Sequence, residues 1–402
     1  MTQRGPRVLH VISALGVGGV EVWLIALLRY MREQVKSGEQ KEEFHIILTG
    51  GKPAELDELA ASLGARLHYI RFSRSGYTGF ARQFRKLLER ERFDVIHDQQ
   101  DYSAAWRLLA GAGILPPVRI VHVHNPPFCL RVNTETRAQK IVFGFSRAIV
   151  KRFATHVLGT SAQVLREYGF TSDTFPKQII EPLHCGFEVS AFAMSSSDAN
   201  DSVCDEFSWP RGSRITLFAG RLDGFDPRRP DWNHKNPEFA LDVVHRAIEN
   251  GTEARMIVVG DGDKTRRLLE KRVQDWGIAD RIRFAGRRMD MARLMAASHV
   301  CLFPSLEEGL GMVAVEAQAA GVRVLASDTV PREAAAVSDL VTFLPLSDGA
   351  DSWARELARL LALPRMDSDA AANQVRATDF SIDRSYARLH RIYASSLSSR
   401  RQ

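Results

Sequence analysis

Residues 299–327 read HVCLFPSLEEGLGMVAVEAQAAGVRVLAS and carry the clearest secondary-structure pattern of the chain. The stretch opens with the apolar run HVCLF and closes with the apolar run VRVLAS, and a helix-like segment lies between them. Short continuous apolar runs of this kind are typical of strands in a parallel sheet that helices cover on both faces. The stretch therefore predicts a β–α–β unit of an α/β protein.

The same alternation of apolar runs and amphipathic segments continues through nearly the whole chain, in two similar halves. It predicts two doubly wound, Rossmann-like domains of the α/β class. The strands predicted in the first half are Arg7–Ile12, Phe44–Thr49, Arg66–Ile70, Phe93–His97, Arg119–His124 and Thr155–Gly159. Those predicted in the second half are Arg214–Ala219, Ala254–Gly260, Arg281–Ala285, His299–Phe303 and Val322–Ser327.

A change of composition separates the two halves. Residues 188–212 are rich in Ser, Asp and Asn and show no apolar period, so we expect a linker there, between domains at 1–187 and 213–379. Near the end of the chain, apolar residues recur at helical spacing and predict a terminal helix within 380–400. Two facing domains of this class leave a cleft at the carboxyl ends of their strands, where ligands bind.

The composition excludes several classes of protein. The 402 residues are 45% hydrophobic and 25% charged, as in a globular protein, and no apolar run approaches the ~20 residues of a membrane-spanning helix. The net charge of +6 is modest, and basic and aromatic residues are not interleaved, so no nucleic-acid partner is expected. The cysteines (129, 185, 204 and 301) form no CxxC pair, which argues against zinc or disulfides and favours the cytoplasm.

Two carboxylates flank the start of the helix predicted in the first stretch. Glu308 precedes the glycine-bearing helix start, and Glu316 follows eight residues later. Because helical side chains lean toward the N-terminus, Glu316 can reach a ligand that faces the amides of residues 309–312. Amides for a diphosphate and carboxylates for hydroxyl groups suit a nucleotide sugar. A solvated carboxylate and a stray helix charge are the alternative, but an unpaired Glu316 among apolar residues would be costly.

Glycines follow the first predicted strand, in GVGGVE at residues 16–21. They interrupt the apolar start of the chain, which we therefore interpret as a strand, a turn and a helix rather than a signal peptide. Glycines before a helix let a phosphate approach the backbone closely. The spacing differs from the dinucleotide-binding G-x-G-x-x-G pattern, and a turn that binds nothing is an equally good interpretation.

Cations follow the first predicted strand of the second half, in GRLDGFDPRRPDWNHKNP at 220–237. Arg221 and Lys235 precede a predicted helix and could neutralise a departing nucleotide diphosphate, although a solvated basic loop has the same pattern. DGFD at 223–226 and DGD at 261–263 resemble acidic metal-binding pairs. Because both lie in glycine turns, we interpret them as turns rather than metal sites.

Two histidines end another predicted strand, in VHVHNPP. We expect the rings of His122 and His124 to point to opposite faces of the sheet, so that only one of them faces the cleft. His124, the last residue of the strand, is the candidate. A structural histidine is the alternative.

Together these residues resemble the GT-B glycosyltransferases and, among them, the retaining enzymes of family 4, group 1. The resemblance covers nearly the whole chain, and its most specific part is the E-x7-E element from Glu308 to Glu316. Similar as well are GGVE after the first strand, HCGFEVSAF at 184–192, GRL with a later KN, and GDG at 260–262. The sequences RIVHVHN and EAQAAG are most similar to those of the exopolysaccharide-synthesis branch of that family.

The resemblance implies transfer of a sugar, with retention, from a UDP- or GDP-sugar to a glycan or lipid-linked acceptor, without a metal or other cofactor. It also implies a terminal helix that crosses back to the first domain. The residues it assigns to donor binding are Gly18, Gly19, Arg221, Lys235, Glu308, Gly309, Leu310, Gly311 and Glu316. Those it assigns to catalysis are His124, Arg221, Lys235 and Glu308, and those it assigns to the acceptor are Glu21 and His124.

The sequence leaves three points open. Thirteen residues separate Arg221 from Lys235, more than in relatives, so Arg228 or Arg229 could share the diphosphate role of Lys235. The loop at 287–290 is expected near the base without discriminating uracil from guanine. An epimerase of the same fold and an inactive sugar-nucleotide-binding subunit are the alternative functions.

One segment predicts a contact with membranes. RAQKIVFGFSRAIVKRF at 137–153 combines basic and apolar residues at helical spacing, so it could rest on an anionic bilayer and present a lipid-linked acceptor. The alternative is that its apolar stripe packs on the sheet of its own domain.

Overall fold

The computed structural model describes residues 5–35, 42–125, 136–223 and 233–398. The chain divides into two compact units. Unit 1 comprises Met1–Phe187 and Asp379–Gln402, and unit 2 comprises Glu188–Thr378.

Unit 1 is built on a parallel sheet of seven strands. These are β1 (Arg7–Ile12), β2 (Glu43–Leu48), β3 (Arg66–Tyr69), β4 (Val95–Asp98), β5 (Val118–Val123), β6 (His156–Gly159) and β7 (Ile179–Pro182). They lie in the order β3-β2-β1-β4-β5-β6-β7, and all neighbouring pairs are parallel. The apolar runs of β1, β4 and β5 are buried because helices cover both faces of the sheet.

In the part of unit 1 that the structure describes, six helices connect these strands. They are α1 (Gly19–Val35), α2 (Asp57–Ser62), α3 (Tyr77–Glu91), α4 (Ala105–Ala110), α5 (Arg137–Phe153) and α6 (Ala162–Glu167). α3 shows how the sequence specifies them: its buried residues Phe80, Phe84, Leu87 and Leu88 recur at helical spacing and form one apolar face. α5 begins with a capping box, in which Thr136 and Gln139 satisfy each other's backbone amides.

Unit 2 contains a second parallel sheet, of six strands. These are β8 (Ile215–Ala219), β9 (Arg255–Val259), β10 (Ile282–Gly286), β11 (Val300–Phe303), β12 (Arg323–Ser327) and β13 (Val341–Leu344). Their order is β10-β9-β8-β11-β12-β13, again with parallel neighbours. The strand order reverses between β8 and β11, as it does between β1 and β4 in unit 1, which is the arrangement of a Rossmann-like sheet.

The helices of unit 2 complete its two outer layers. They are α7 (Ser196–Phe207), α8 (Pro237–Glu249), α9 (Asp263–Asp275), α10 (Met291–Ala297), α11 (Met312–Ala319), α12 (Gly349–Ala362) and α13 (Ser368–Arg376). On one side of the sheet, α8 and α12 pack around the fully buried Trp353.

The prediction of a linker over residues 188–212 is wrong. This segment belongs to unit 2, where α7 packs on α10. The buried face of α7 includes Asn200, whose Nδ2 donates to the carbonyl oxygens of Ala297 at 2.9 Å and Ser213 at 3.0 Å. A helix whose buried face contains a hydrogen-bonded polar residue gives a weak apolar period, and this is why the sequence pattern missed it.

The predicted terminal helix is present as α14 (Ile382–Ser398) and packs on α1 and β5 of unit 1. Buried hydrogen bonds fasten it there. Tyr393 Oη lies 2.7 Å from His97 Nδ1, and Tyr386 Oη donates to Glu42 Oε2 at 2.6 Å. The terminal helix is therefore an integral part of unit 1.

Candidate active site

In unit 2 the predicted donor residues gather where the strand order reverses. β8 is followed directly by Gly220 and Arg221, and the neighbouring β11 is followed by the loop that contains Glu308. Ligands of open α/β sheets bind at the carboxyl ends of the strands on either side of such a reversal. The position of these residues in the fold therefore matches a ligand site.

Lys235 and Glu308 form an ion pair at this edge of the sheet. Lys235 Nζ lies 2.5 Å from Glu308 Oε1, and Ser305 Oγ donates to the same oxygen at 2.7 Å. The two charged side chains are only 20% and 8% exposed, so water screens the pair weakly. A cation and a carboxylate are thus held together beside the last residues of β11.

The segment that carries Lys235 is fixed by hydrogen bonds to both neighbouring loops. Asn233 Nδ2 donates to the carbonyl oxygens of Arg221 at 2.9 Å and Leu222 at 2.6 Å. The amide of Leu306 donates to the carbonyl oxygen of His234 at 2.7 Å. These bonds place Lys235 between the end of β8 and the loop after β11.

Arg221, Lys235 and Glu308 lie around one histidine that the sequence analysis did not single out, His234. The pKa of His234 is lowered to about 4, mainly by burial and also by the positive charges of Lys235 and Arg221, while the charge of Glu308 opposes this shift. All three predicted site residues are therefore within electrostatic reach of the same ring. Only the position of His234 next to Lys235 could have pointed to it.

The start of α11 contains a position that only glycine fits well. Gly311 has a φ of 95°, in the left-handed region that favours glycine, and a Cβ there would lie 2.9 Å from the ring of Phe303. Leu310 is buried, and Gly309 lies beside it. The chain therefore turns tightly into α11, whose first amides have no partner within the helix.

Glu316 lies in the second turn of α11, and its surroundings differ from those of Glu308. It is half-buried, and its carboxylate makes no hydrogen bond or ion pair with any residue that the structure describes. Burial raises the pKa of its carboxyl to about 7, and its charge adds to the burial that raises the pKa of Cys301, on β11. The carboxylate of Glu316 is thus close to the sheet but forms no ion pair with Lys235, whose described ion pair is with Glu308.

The aspartates of the two glycine turns contact other residues of unit 2. Asp223 Oδ1 accepts a hydrogen bond from the amide of Thr265, and Asp261 pairs with Arg287. The residues that the structure describes include no group of three or more His, Cys, Asp or Glu side chains that could hold a metal ion. Arg228 and Arg229 lie outside the described residues.

In unit 1, Gly18, Gly19 and Glu21 lie at the start of α1, directly after the loop that follows β1. A Cβ on Gly18 would lie 2.4 Å from Glu21 Oε2, whereas a Cβ on Gly19 would have no atom within 4 Å. Gly18 is therefore closely faced by a carboxylate, and Gly19 borders open space.

His124 follows β5 directly and is held at three points. Its amide donates to Asp101 Oδ1 at 2.8 Å, its Nε2 lies 2.7 Å from Gln99 Oε1, and its Nδ1 lies 3.9 Å from Cys185 Sγ. Burial lowers the pKa of the ring to about 3. The half-buried His124 is therefore neutral at physiological pH.

The expectation that His122 and His124 point to opposite faces is wrong. Their ring centroids are 4.0 Å apart, because side chains two residues apart along a strand lie on the same face. What separates the two rings is depth: His122 is fully buried and held by His97 and the carbonyl oxygen of Leu183, whereas His124 is partly accessible.

Cys185 connects the predicted residues of unit 1. Burial raises the pKa of its thiol to about 12, and the nearby charge of Glu21 contributes to this rise. Since the same thiol contacts His124, Glu21 and His124 share one neighbourhood. Gln99 and Asp101 were not predicted, although both follow β4 at the point where the strand order of the sheet reverses.

Known protein families match both units. The family described as Glycosyltransferase Family 4 matches residues 17–191, and the one described as Glycosyl transferases group 1 matches residues 214–363. Together the two matches cover most of the chain.

Individual relatives agree with the family matches. EpsF of Bacillus subtilis (strain 168), named as a candidate glycosyltransferase, is 29% identical over 368 residues, which are 91% of this chain and 90% of EpsF. UDP-Gal:alpha-D-GlcNAc-diphosphoundecaprenol alpha-1,3-galactosyltransferase of Escherichia coli is 22% identical over 279 residues, 68% of each chain.

A solved structure shows the same fold. HepE of Anabaena, crystallised in complex with UDP and glucose, superimposes with a TM-score of 0.73 at 17% identity, over 98% of this chain and 100% of HepE. The fold is therefore GT-B. This chain is a glycosyltransferase and belongs to family 4, group 1.

Proposed function

We propose that this glycosyltransferase moves a sugar, with retention, from a UDP- or GDP-sugar to a glycan or lipid-linked acceptor in polysaccharide or glycoconjugate biosynthesis. The observation that carries the proposal is the ion pair of Lys235 and Glu308, with Arg221 beside it, at the strand-order reversal of unit 2. Fixed cations there would stabilise the charge that grows on a departing diphosphate. The complex of HepE with UDP and glucose supports this class of donor.

Different residues of unit 2 bind different parts of the donor. Arg221 and Lys235 hold the diphosphate, and Glu308 contacts the transferred sugar together with the backbone of Gly309, Leu310 and Gly311. Glu316 accepts hydrogen bonds from the ribose hydroxyls. In support, the residue is half-buried and its carboxylate has no hydrogen-bond partner among the described residues, so both oxygens can accept from a ligand.

The groups of unit 1 serve the diphosphate and the acceptor. Gly18 and Gly19 approach the diphosphate through their backbone, which is supported by the open space beside Gly19. Glu21 lies near the acceptor, and His124 positions hydroxyls of the transferred sugar or the acceptor. A ring that burial keeps neutral suits a hydrogen-bonding role better than proton transfer.

The reaction needs little covalent help from the protein. The acceptor oxygen bonds to the anomeric carbon on the face that the diphosphate leaves, the bond from that carbon to the phosphate oxygen breaks, and the acceptor proton passes to that phosphate oxygen. Fixed positive charges support this step in the place that a metal ion takes in other transferases. We therefore expect activity that persists in excess EDTA.

We place the acceptor at a membrane surface, at the cytoplasmic face. The segment of α5 contains five basic residues and no acidic one, and its outward side exposes 72% of Ile141 and 45% of Phe145. Charge and apolar area together fit an anionic bilayer. The diphosphoundecaprenol in the name of the Escherichia coli relative supports a lipid-linked acceptor. Among the described residues, no helix is long and apolar enough to cross a membrane.

Vesicle sedimentation tests the membrane surface. Phosphatidylcholine vesicles with increasing phosphatidylglycerol should bind the protein increasingly, and the double variant Ile141→Glu/Phe145→Glu should lose this binding. Leu268→Glu, at a position on α9 that is 59% exposed, is the matched control and should bind like the native protein. Binding that ignores the phosphatidylglycerol content would contradict the proposal.

A donor panel tests the transfer itself. Thermal shift with UDP-, GDP-, ADP- and dTDP-sugars should single out one base, and that donor should be hydrolysed slowly to free sugar and nucleoside diphosphate. NMR of the first-formed sugar should show the anomeric configuration of the donor. Inverted product, or binding without any hydrolysis or transfer, would overturn the proposal.

A further inference from the structure

One side-chain amide in unit 1 bridges two histidine rings. Gln99 is 5% exposed; its Oε1 lies 2.7 Å from His124 Nε2, and its Nε2 lies 3.2 Å from His10 Nδ1. The oxygen of an amide only accepts hydrogen bonds and its nitrogen only donates them. His124 therefore carries its proton on Nε2, and His10 accepts on Nδ1.

Both rings are neutral, so the position of a single proton defines the tautomer of each. Burial lowers the pKa of both His10 and His124 to about 3, so each ring holds one proton. Once the proton of His124 is on Nε2, its Nδ1 is left with a lone pair and can only accept.

The rings beside His124 have fixed protons as well. The carbonyl oxygen of Leu183 lies 3.2 Å from His122 Nε2 and only accepts, so the proton of His122 is on Nε2. His122 Nδ1 then accepts from His97 Nε2 at 3.2 Å, and His97 Nδ1 accepts from Tyr393 Oη at 2.7 Å. This directed chain runs from α14 to a ring that packs 4.0 Å from His124.

Nδ1 of His124 carries the lone pair that Gln99 leaves unused. The described polar contact of Nδ1 is with the Cys185 thiol, whose Sγ is 3.9 Å away. A thiol is a weak hydrogen-bond donor, especially at such a distance. Since Nε2 is occupied by Gln99 and the residue is only half-buried, Nδ1 is the ring atom able to accept from a substrate hydroxyl.

We propose that Gln99 is a positioning residue, which fixes His124 in the tautomer with Nε2 protonated so that Nδ1 accepts a hydrogen bond from a substrate hydroxyl. The inference rests on the proposed function for the identity of that substrate, but the tautomer itself does not. His124 would thus recognise a hydroxyl through a lone pair, and His124 would neither donate nor remove a proton during transfer.

Nitrogen NMR of the full chain, labelled with ¹⁵N-histidine and measured without substrate, tests the tautomer. The signals of His124 are identified by their loss in His124→Asn. They should show Nε2 protonated and Nδ1 unprotonated, without change from about pH 5 to 9. In Gln99→Leu this preference should disappear. In the matched control Gln100→Leu, whose native side chain donates to Thr49, it should remain.

Kinetics test the role of Nδ1. Gln99→Leu should lower kcat by about 10- to 100-fold with a smaller change in KM, because the acceptor is misdirected rather than removed. Gln99→Glu keeps an acceptor for Nε2–H and should recover much of that loss. His124→Asn, whose amide lies near the place of Nδ1, should keep more activity than His124→Gln, whose amide lies near Nε2.

The outcomes separate the two proposals. A native spectrum with Nδ1 protonated, a Gln99→Leu spectrum unchanged from native, or equal activity of the two His124 variants would overturn this inference. The proposed donor chemistry would fail separately, through the donor panel, while the native tautomer could still be observed.

Discussion

Lys235 Nζ and Glu308 Oε1 are 2.5 Å apart, although the two residues are 73 positions apart in the sequence. Each partner neutralises the other in a place that water reaches poorly. A nucleoside diphosphate would offer Lys235 a second anionic partner, and its sugar would offer Glu308 hydroxyl donors. The ion pair thus keeps both groups in position for a ligand. Mutation of Lys235 and mutation of Glu308 should therefore have different effects on nucleotide binding and turnover.

Removal of the cations should depress turnover. We expect Lys235→Ala and Arg221→Ala each to lower kcat by about 10²- to 10³-fold, because each removes a fixed charge from the departing diphosphate. Steady-state kinetics measure this, and circular dichroism should show an intact fold. Lys264→Ala, at an exposed lysine of α9, is the matched control. Turnover close to native in either variant would contradict the assignment.

Neutralisation of Glu308 should separate binding from catalysis. In Glu308→Gln the charge of Lys235 loses its partner, so the free nucleoside diphosphate should bind about three- to tenfold more tightly. The kcat for transfer should nevertheless fall by about 100-fold, because the contact to the sugar is weakened. Calorimetry of the nucleotide and kinetics of transfer measure the two effects, and weaker nucleotide binding would argue against this role of the pair.

The spacing of residues in the sequence predicted the two parallel sheets well. The doubly wound class of both units, and the positions of Arg221 and Glu308 in the loops after β8 and β11, follow from apolar runs and the loops between them. β7 and β13 were missed because they are edge strands of four half-exposed residues, which give no continuous apolar run.

Contacts between distant segments were beyond sequence reasoning. Gln99 and His124 meet because β4 and β5 are neighbours in register, a fact that no local pattern contains. Likewise, the bonds from Asn233 and Leu306 that place Lys235 depend on two loops meeting in space.

Replacement of Glu316 by glutamine should stabilise the fold at high pH. Its folded pKa of about 7 lies above the ordinary 4.5, so the unfolded chain releases the proton at lower pH than the folded chain does. The free energy of unfolding therefore falls as pH rises from about 4.5 to 7 and is lowest above 7. Glu316→Gln should remove this penalty and gain on the order of 1 kcal/mol at pH 8, with little gain at pH 4.5.

The same variant should lose ligand affinity, by about ten- to hundredfold for the preferred nucleotide sugar, since the amide is a poorer acceptor than the carboxylate for ribose hydroxyls. Urea unfolding at the two pH values and calorimetry measure both effects. Glu253→Gln, at a highly exposed carboxylate, is the control and should change neither. A destabilised Glu316→Gln with native affinity would contradict the role of this residue.

The terminal helix should determine the stability of unit 1. Tyr393→Phe removes the donor to His97 Nδ1, which is fully buried, so we expect a loss of about 1–3 kcal/mol. Tyr69→Phe removes a hydroxyl that donates to Asp57 from an exposed ring, and should cost less.

Hydrogen exchange locates the loss of stability caused by Tyr393→Phe. Because the broken bond joins α14 to β4 and the chain His97–His122 continues it to β5, amides of α14, β4 and β5 should exchange faster. Amides of β8 and β11 should keep their native rates, since they belong to the other compact unit. Equal acceleration in both sheets would mean that the buried chain does not stabilise unit 1 in particular, and native exchange everywhere would mean that the Tyr393 hydroxyl contributes nothing to the attachment of α14.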